Sequence, residues 1–522
     1  MKSFKIYNIK SFEETPDIEL KRINIFVGKN SSGKSSLIRF PVILSQTFAE
    51  DVYTPLLFFG NLIDYGNFDD VIFNHKEDGR IKLSFKFEPK NLRNYLARYY
   101  RIYREEKMDF EIFTQRIKAI GAEVSIIKNK RNMIVERFGL LINEQVAATV
   151  ERDEKGKYEL LINFDYKNFQ ITDETIHIKS DVTFNKFIPE ISFNNDTSFS
   201  ILKNFVKSKE IDTKLVEKAT LLLRREMAIL FNEEETEINS QTDLLSEFAS
   251  VAKTLRFISY LFKAIYTDLS NFSNQITYIG PFRKDPERIY RDSENSFKDV
   301  GKNGENASML LRRAQQSRSE LLNKVSSWFW KSMGVKLGIE EIENSNLFKL
   351  MVYNEDKSNG NNIIDVGYGI AQVLPIVTQI YFSHHQDQEV KRSPYRLTSK
   401  KTFIIEQPEL HLHPAAQANL ADLFVEKVCS DKQSTFLIET HSEHLIRRLQ
   451  VLIADKEIDL SYKDIAIYYV DKENGPASSV KNIRLNANGQ FIDKWPSGFF
   501  DKGYELSRQL LRVVRESEHI ED

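Results

Sequence analysis

One cysteine in 522 residues, Cys429, leaves no partner for an internal disulfide and no cysteine-based zinc site. It fits a reducing compartment, and its expected place is that of a buried small apolar residue. Charge of one sign is also missing. Seventy-three Lys and Arg stand against 75 Asp and Glu, a formal net charge of -2. No field over the whole surface therefore draws the chain toward nucleic acid or membrane, and any nucleic-acid contact must be local. Long apolar runs are absent: nothing approaches the roughly 18 residues of a bilayer span, and the opening MKSFKIYNIKSF has no apolar signal core. A soluble, cytoplasmic chain with no membrane partner is expected. Sustained heptads and internal repeats are lacking too, which argues against long coiled-coil arms.

What is present is a large globular potential. With 41% hydrophobic residues over this length, the chain can bury a sizeable core and should divide into two or more lobes. Residues 1–35 read as two or three strands running into a glycine loop, with a helix to follow. Short strands and turns are expected over 56–90, a helix over about 91–118, and an antiparallel meander from AEVSIIKN to YELLINFDY. Helices return over about 199–272, and another follows Gly304. The C-terminal third alternates apolar strands (TFIIE, STFLIE, IAIYYV) with helices, the pattern of a largely parallel sheet covered on both faces.

Four motifs carry chemistry. Gly28, Gly33, Lys34 and Ser35 fit G-x-x-x-x-G-K-[ST], in which glycines let backbone N–H groups close around phosphates. The whole loop, Gly28, Lys29, Asn30, Ser31, Ser32, Gly33, Lys34, Ser35 and Ser36, is the candidate nucleotide site. Lys34 would reach the β and γ oxygens and Ser35 would hold Mg²⁺. Pro41 should kink the helix behind the loop. TFIIEQPELHLHP has the form of a buried strand ending in acids, with Glu406 placed to sit beside the same Mg²⁺. In FLIETHS, His441 comes after another buried strand, the place where the ABC-type enzymes that this motif order resembles keep a histidine against the γ-phosphate. Gly367, Tyr368, Gly369 and Gln372 precede a helix and form a second amide cluster able to meet an anion. His411 and His413, beside carboxylates, raise a metal site as a lesser reading.

In this order the motifs resemble those of prokaryotic ABC-type ATPases of the overcoming-lysogenisation and RecF-related groups. YIGPFRKDPERIY at 278–290 and VGYGIAQVLP add to the resemblance, and IRLNANGQFIDKWPSGFFD is similar to a short C-terminal domain of unknown function (DUF3696-like). The resemblance implies an α/β fold: an ABC-type ATPase head with a mixed sheet, P-loop and flanking helices, interrupted by a β-meander and helical insertion. The expected domains are 1–90 and 273–475 as the two halves of the head, 91–272 as the insertion, and 476–522 as the C-terminal segment. It also implies ATP and Mg²⁺ as cofactors, and a homodimer or higher oligomer closing around ATP. In that closure Gly367 and Gly369 of one subunit would cap the γ-phosphate held by the other. ATPases of Septu and retron defence operons act beside an HNH nuclease, so a nuclease partner in antiphage defence is the implied role.

One departure matters. The usual Asp-Glu pair is here Glu406-Gln407, and an amide cannot act as a general base near neutral pH. Either Glu409 takes that role or hydrolysis is slow; slow hydrolysis is the favoured reading. Two other functions compete. A RecF-like repair ATPase would act directly on DNA, and the basic-aromatic run Arg93, Tyr95, Arg98, Tyr99, Tyr100, Arg101, Tyr103, Arg104 suits nucleic acid as well as it suits an amphipathic helix. Arg283, Lys284, Arg288 and Arg291 are ambiguous in the same way. A self-contained nuclease would need an Asp-x-Asp metal cluster after IAIYYV, and none is there.

Overall fold

A computed structural model describes residues 1–75, 79–102, 116–165, 170–179, 182–191, 242–354, 360–391, 400–472, 475–496, 505–506 and 508–512. They form two compact units, Met1–Glu19 with Ile43–Asn274, and Leu20–Val42 with Gln275–Asp522.

The first unit is built on an antiparallel sheet. Its strands run in the order Gln170–Lys179, Tyr158–Asp165, Gln145–Arg152, Asn132–Ile142, Ile120–Asn129, Arg80–Phe87, Ser3–Ile9 and Phe12–Glu14, with Ile18–Glu19 also paired to Ser3–Ile9. The predicted meander is the middle of this sheet. Alternation sets its buried face: in Arg80–Phe87, Ile81, Leu83, Phe85 and Phe87 point inward and their neighbours outward. Phe138 meets Phe262, and Phe164 meets Phe257, from the long helix Thr242–Asn274. The helix expected from 91 is Pro89–Ile102; Tyr103 and Arg104 of the basic-aromatic run lie outside the described residues. So do the helices predicted over 199–241.

The second unit is α/β. Its central sheet has the order Ile276–Ile279, Lys401–Glu406, Ser434–Glu439, Ile23–Gly28, Ile465–Asp471, Ser479–Ile483, parallel throughout except for the last strand. The middle strands are buried nearly end to end, which is why they read as continuous apolar runs. Helices Ala307–Gln316, Leu321–Met333, Tyr368–Lys391, Pro414–Ser430 and Glu443–Ala454 contribute Leu311, Phe329, Val377, Phe424 and Leu449 to the same core. A smaller antiparallel sheet joins Tyr290–Arg291, Leu347–Tyr353, Lys336–Glu341 and Asn361–Asn362.

Two sequence expectations are sharpened. The single helix after Gly304 is two, parted where Ser317 caps the first and Arg318 takes a φ of 55°. The kink at Pro41 is a complete break: Lys34–Ile38 ends at Arg39, and Phe40–Ala49 begins anew with Pro41 at its second position. Proline has no N–H to donate there, and the carbonyl of Leu37 accepts from Arg39 instead.

Candidate functional site: a glycine loop against two carboxylates

The loop leaves the buried strand Ile23–Gly28 with Gly28 at φ 149° and reaches its helix with Gly33 at φ 100°. Both values favour glycine. Gly28 carries a second demand: a Cβ there would stand 2.0 Å from the carbonyl oxygen of Val470. Lys34 is buried and turned into the loop, its Nζ donating to the carbonyls of Gly28 at 3.0 Å and Lys29 at 2.6 Å. Burial lowers its ammonium pKa, while Glu439 and then Glu409 pull the other way.

Parallel register places Glu406 beside Glu439 at the ends of adjacent strands. Glu406 is 1% exposed and clamped: Arg39 Nε and Nη2 donate to its two oxygens at 2.6 and 2.7 Å, and the Tyr278 hydroxyl donates at 2.7 Å. Glu439 is 2% exposed and accepts from the Ser35 hydroxyl at 3.0 Å. Burial pushes its carboxyl up to about 7, helped by Glu406 and opposed by Ser35, Lys34 and Arg39. Thus the acid bonded to Ser35 is Glu439, while the predicted Glu406 is bonded to Arg39 and Tyr278.

Gln407 turns the chain away from the strand with φ 46°, its N–H donating to the Glu439 carbonyl at 2.7 Å. Glu409 is buried; its Oε1 accepts the His441 backbone N–H at 2.6 Å, and burial raises its pKa. The His441 ring is held neutral, its pKa lowered to about 4 by burial and by Lys34. The phosphate loop, the acid strand and the histidine strand therefore converge.

The segment Tyr278–Arg288 is a strap. At one end Tyr278 holds the Glu406 carboxylate, and Arg283 donates to the carbonyls of Glu406 at 2.5 Å and Gln407 at 2.9 Å. At the other end Arg288 grips Asp365 with bonds of 2.8 and 2.6 Å, and Asp285 accepts from the Tyr368 hydroxyl. Three of the ambiguous basic residues have partners within the molecule: Arg283 is buried on carbonyls, while Lys284 and Arg288 form exposed ion pairs with Glu287 and Asp365.

Tyr368 opens the helix Tyr368–Lys391, half-exposed, with its ring edge-on to His411. Gly369 is packed so closely that a Cβ would meet the His411 carbonyl at 2.5 Å; Gly367 faces open space. Gln372 is buried. His413 caps the helix Pro414–Ser430, and no group of three or more metal-ligating side chains occurs among the described residues.

Three residues of the site escaped the sequence reading: Arg39, Tyr278 and Glu439. The signal for Glu439 was its place as the last residue of an apolar strand, the same place that drew notice to Glu406.

The residues present fit a magnesium nucleotide. Among the described residues, the Ser32 hydroxyl and one oxygen each of Glu409 and Glu439 are buried with no hydrogen-bond partner. These orphaned oxygens lie around a buried ammonium at a glycine-shaped loop, the donor set that Mg²⁺ and phosphate recruit.

Comparison with known proteins agrees with the motifs. The family model "AAA ATPase domain" matches residues 1–446, and "Protein of unknown function (DUF3696)" matches residues 460–510. No curated protein matches the chain. Similar solved structures include the Smc head domain with an extended coiled coil bound to the C-terminal domain of ScpA, derived from Pyrococcus furiosus. It is 12% identical, with 98% of this chain and 99% of that one covered at a TM-score of 0.36. The SMC head domain from Thermotoga maritima is 10% identical, with 93% of this chain and all (100%) of that one covered at a TM-score of 0.33.

Proposed function

We propose, because this chain belongs to the AAA ATPase domain family, that it binds Mg²⁺-ATP on Gly28–Ser36 and uses it chiefly as a conformational ligand with slow hydrolysis. The observation that carries the reading is Lys34, buried in a loop that only glycine permits at Gly28, with Ser35 held against a buried acid. The loop amides and Lys34 would bind the phosphates. Ser35, with an acid of the neighbouring strand ends, would hold the metal, whose contribution when bound is to offset phosphate charge.

Slow turnover is supported by the residues just beyond Glu406. Gln407 offers no base, and Glu409 is buried with one oxygen occupied by the His441 N–H. His441, neutral at pH 7, is suited to donate or accept a single hydrogen bond and not to supply a charge. Gly367, Tyr368, Gly369 and Gln372 are the proposed cap on the nucleotide of a second subunit, so that ATP closes a homodimer.

The wider role is control of a partner nuclease, HNH type by the family resemblance, in a prokaryotic antiphage defence system. Direct action on DNA is less well supported, because Arg283 is buried and donates to backbone carbonyls. Nucleotide titration of the native chain and of Lys34→Ala tests the site: binding lost in the variant supports it, binding kept refutes it. Co-purification from the native operon tests the role, and recovery of a lone monomer without nuclease or nucleic acid would refute it.

A further inference from the structure

The two acids at the strand ends are neighbours of the same residue type, but they are not equivalent. Glu406 has both oxygens engaged, by Arg39 on each and by Tyr278 on one. Its charge is already matched by a guanidinium in bidentate geometry, the strongest arrangement available to a carboxylate. Glu439 has one oxygen on the Ser35 hydroxyl at 3.0 Å and the other buried with no hydrogen-bond partner among the described residues. A buried carboxylate oxygen left in that condition calls for a ligand.

The surroundings of Glu439 define the ligand that suits it. Ser35 and Glu439 present a hydroxyl and a carboxylate side by side, two hard oxygen donors next to a loop shaped for phosphates. Mg²⁺ takes few protein ligands, all oxygen, and completes its shell with phosphates and water. Resting on the reading that Gly28–Ser36 binds nucleotide, we propose that Glu439 is the carboxylate that works with Ser35 on the nucleotide's magnesium ion. Glu406 is then a positioning residue: through Arg39 it anchors the end of the loop helix, and through Tyr278 it anchors the strap.

The test is the gain in affinity that Mg²⁺ gives to a fluorescent ATP analogue, read as the ratio of affinities in Mg²⁺ and in EDTA. The expected result is a gain reduced about tenfold or more in Glu439→Gln, as for loss of a charged ligand, with a smaller reduction in Glu406→Gln. An equal or larger reduction in Glu406→Gln overturns the assignment. Thermal melting identifies a misfolded variant, and Glu439→Asp then supplies the reading, with a gain that is reduced but present. A full gain in both Glu439 variants overturns this assignment alone. A native chain that binds no nucleotide overturns it together with the function proposed above.

Discussion

Arg39 holds both carboxylate oxygens of Glu406, at 2.6 Å from Nε and 2.7 Å from Nη2. This joins the end of the helix behind the phosphate loop to the end of the acid strand. Removing the guanidinium leaves a carboxylate that is 1% exposed with, among the described residues, the Tyr278 hydroxyl alone. Arg39→Ala is expected to destabilise the chain by about 3 kcal/mol, the scale for breaking one side of a buried pair. Chemical denaturation measures it. The double substitution with Glu406→Gln should cost less than the two single losses added, since the stranded charge is gone. Strict additivity would show that the two side chains act independently.

Arg283 reaches two successive carbonyls, those of Glu406 and Gln407, with two nitrogens of one planar group. Burial lowers its pKa to about 10, so it stays charged at neutral pH. A lysine offers a point charge and cannot fork in this way. Arg283→Lys should lower the rate of phosphate release about tenfold through misplacement of the strand end. An unchanged rate would remove Arg283 from the positioning role.

In the reading proposed above, Gln407 takes the place of the carboxylate that polarises the attacking water in the resembled enzymes. If the amide limits turnover, Gln407→Glu should raise phosphate release by about a hundredfold, within the usual range for a general base. No gain would point to Glu409, or to closure of the dimer, as the limiting element.

His441 gives a pH dependence whose sign can be worked out. Its folded pKa, about 4, lies below the ordinary 6.5 of an unfolded histidine. Above pH 6.5 both states are neutral and the folded chain is at full advantage. As the pH falls from 6.5 toward 4, the unfolded chain takes up a proton that the folded one refuses, so stability is lost across that window. The thermal midpoint should fall there, and it should fall less in His441→Asn. Parallel curves for the two proteins would contradict the neutral, half-buried state of this ring.

Much of the site was legible because its pieces are local. A G-x-x-x-x-G-K-S run names its own lysine and serine, and continuous apolar runs announced the parallel strands of Ile23–Gly28, Lys401–Glu406 and Ser434–Glu439. The partners were not legible because they depend on register. Nothing in the stretch between Glu406 and Glu439 tells that the two are paired across adjacent strands, with the histidine strand inserted between the loop strand and the acid strand. Arg39 read as one more helical residue, and Tyr278 as part of a motif without a role. The order of the antiparallel sheet was similarly hidden: alternation showed the meander, but only the fold shows Arg80–Phe87 pairing with Ser3–Ile9 far back in the chain.

The strap from Tyr278 to Arg288 touches Glu406 at one end and Tyr368 and Asp365 at the other. A connection of this kind is reciprocal by thermodynamic necessity. Whatever free energy a bound nucleotide contributes to the placing of Tyr368, a ligand or subunit settling on Tyr368 returns in equal measure to the nucleotide. A partner that docks near the start of that helix would therefore change the affinity for nucleotide by the same factor, and in the same direction, as nucleotide changes the affinity for that partner, and the size of that change is the measure of the strap.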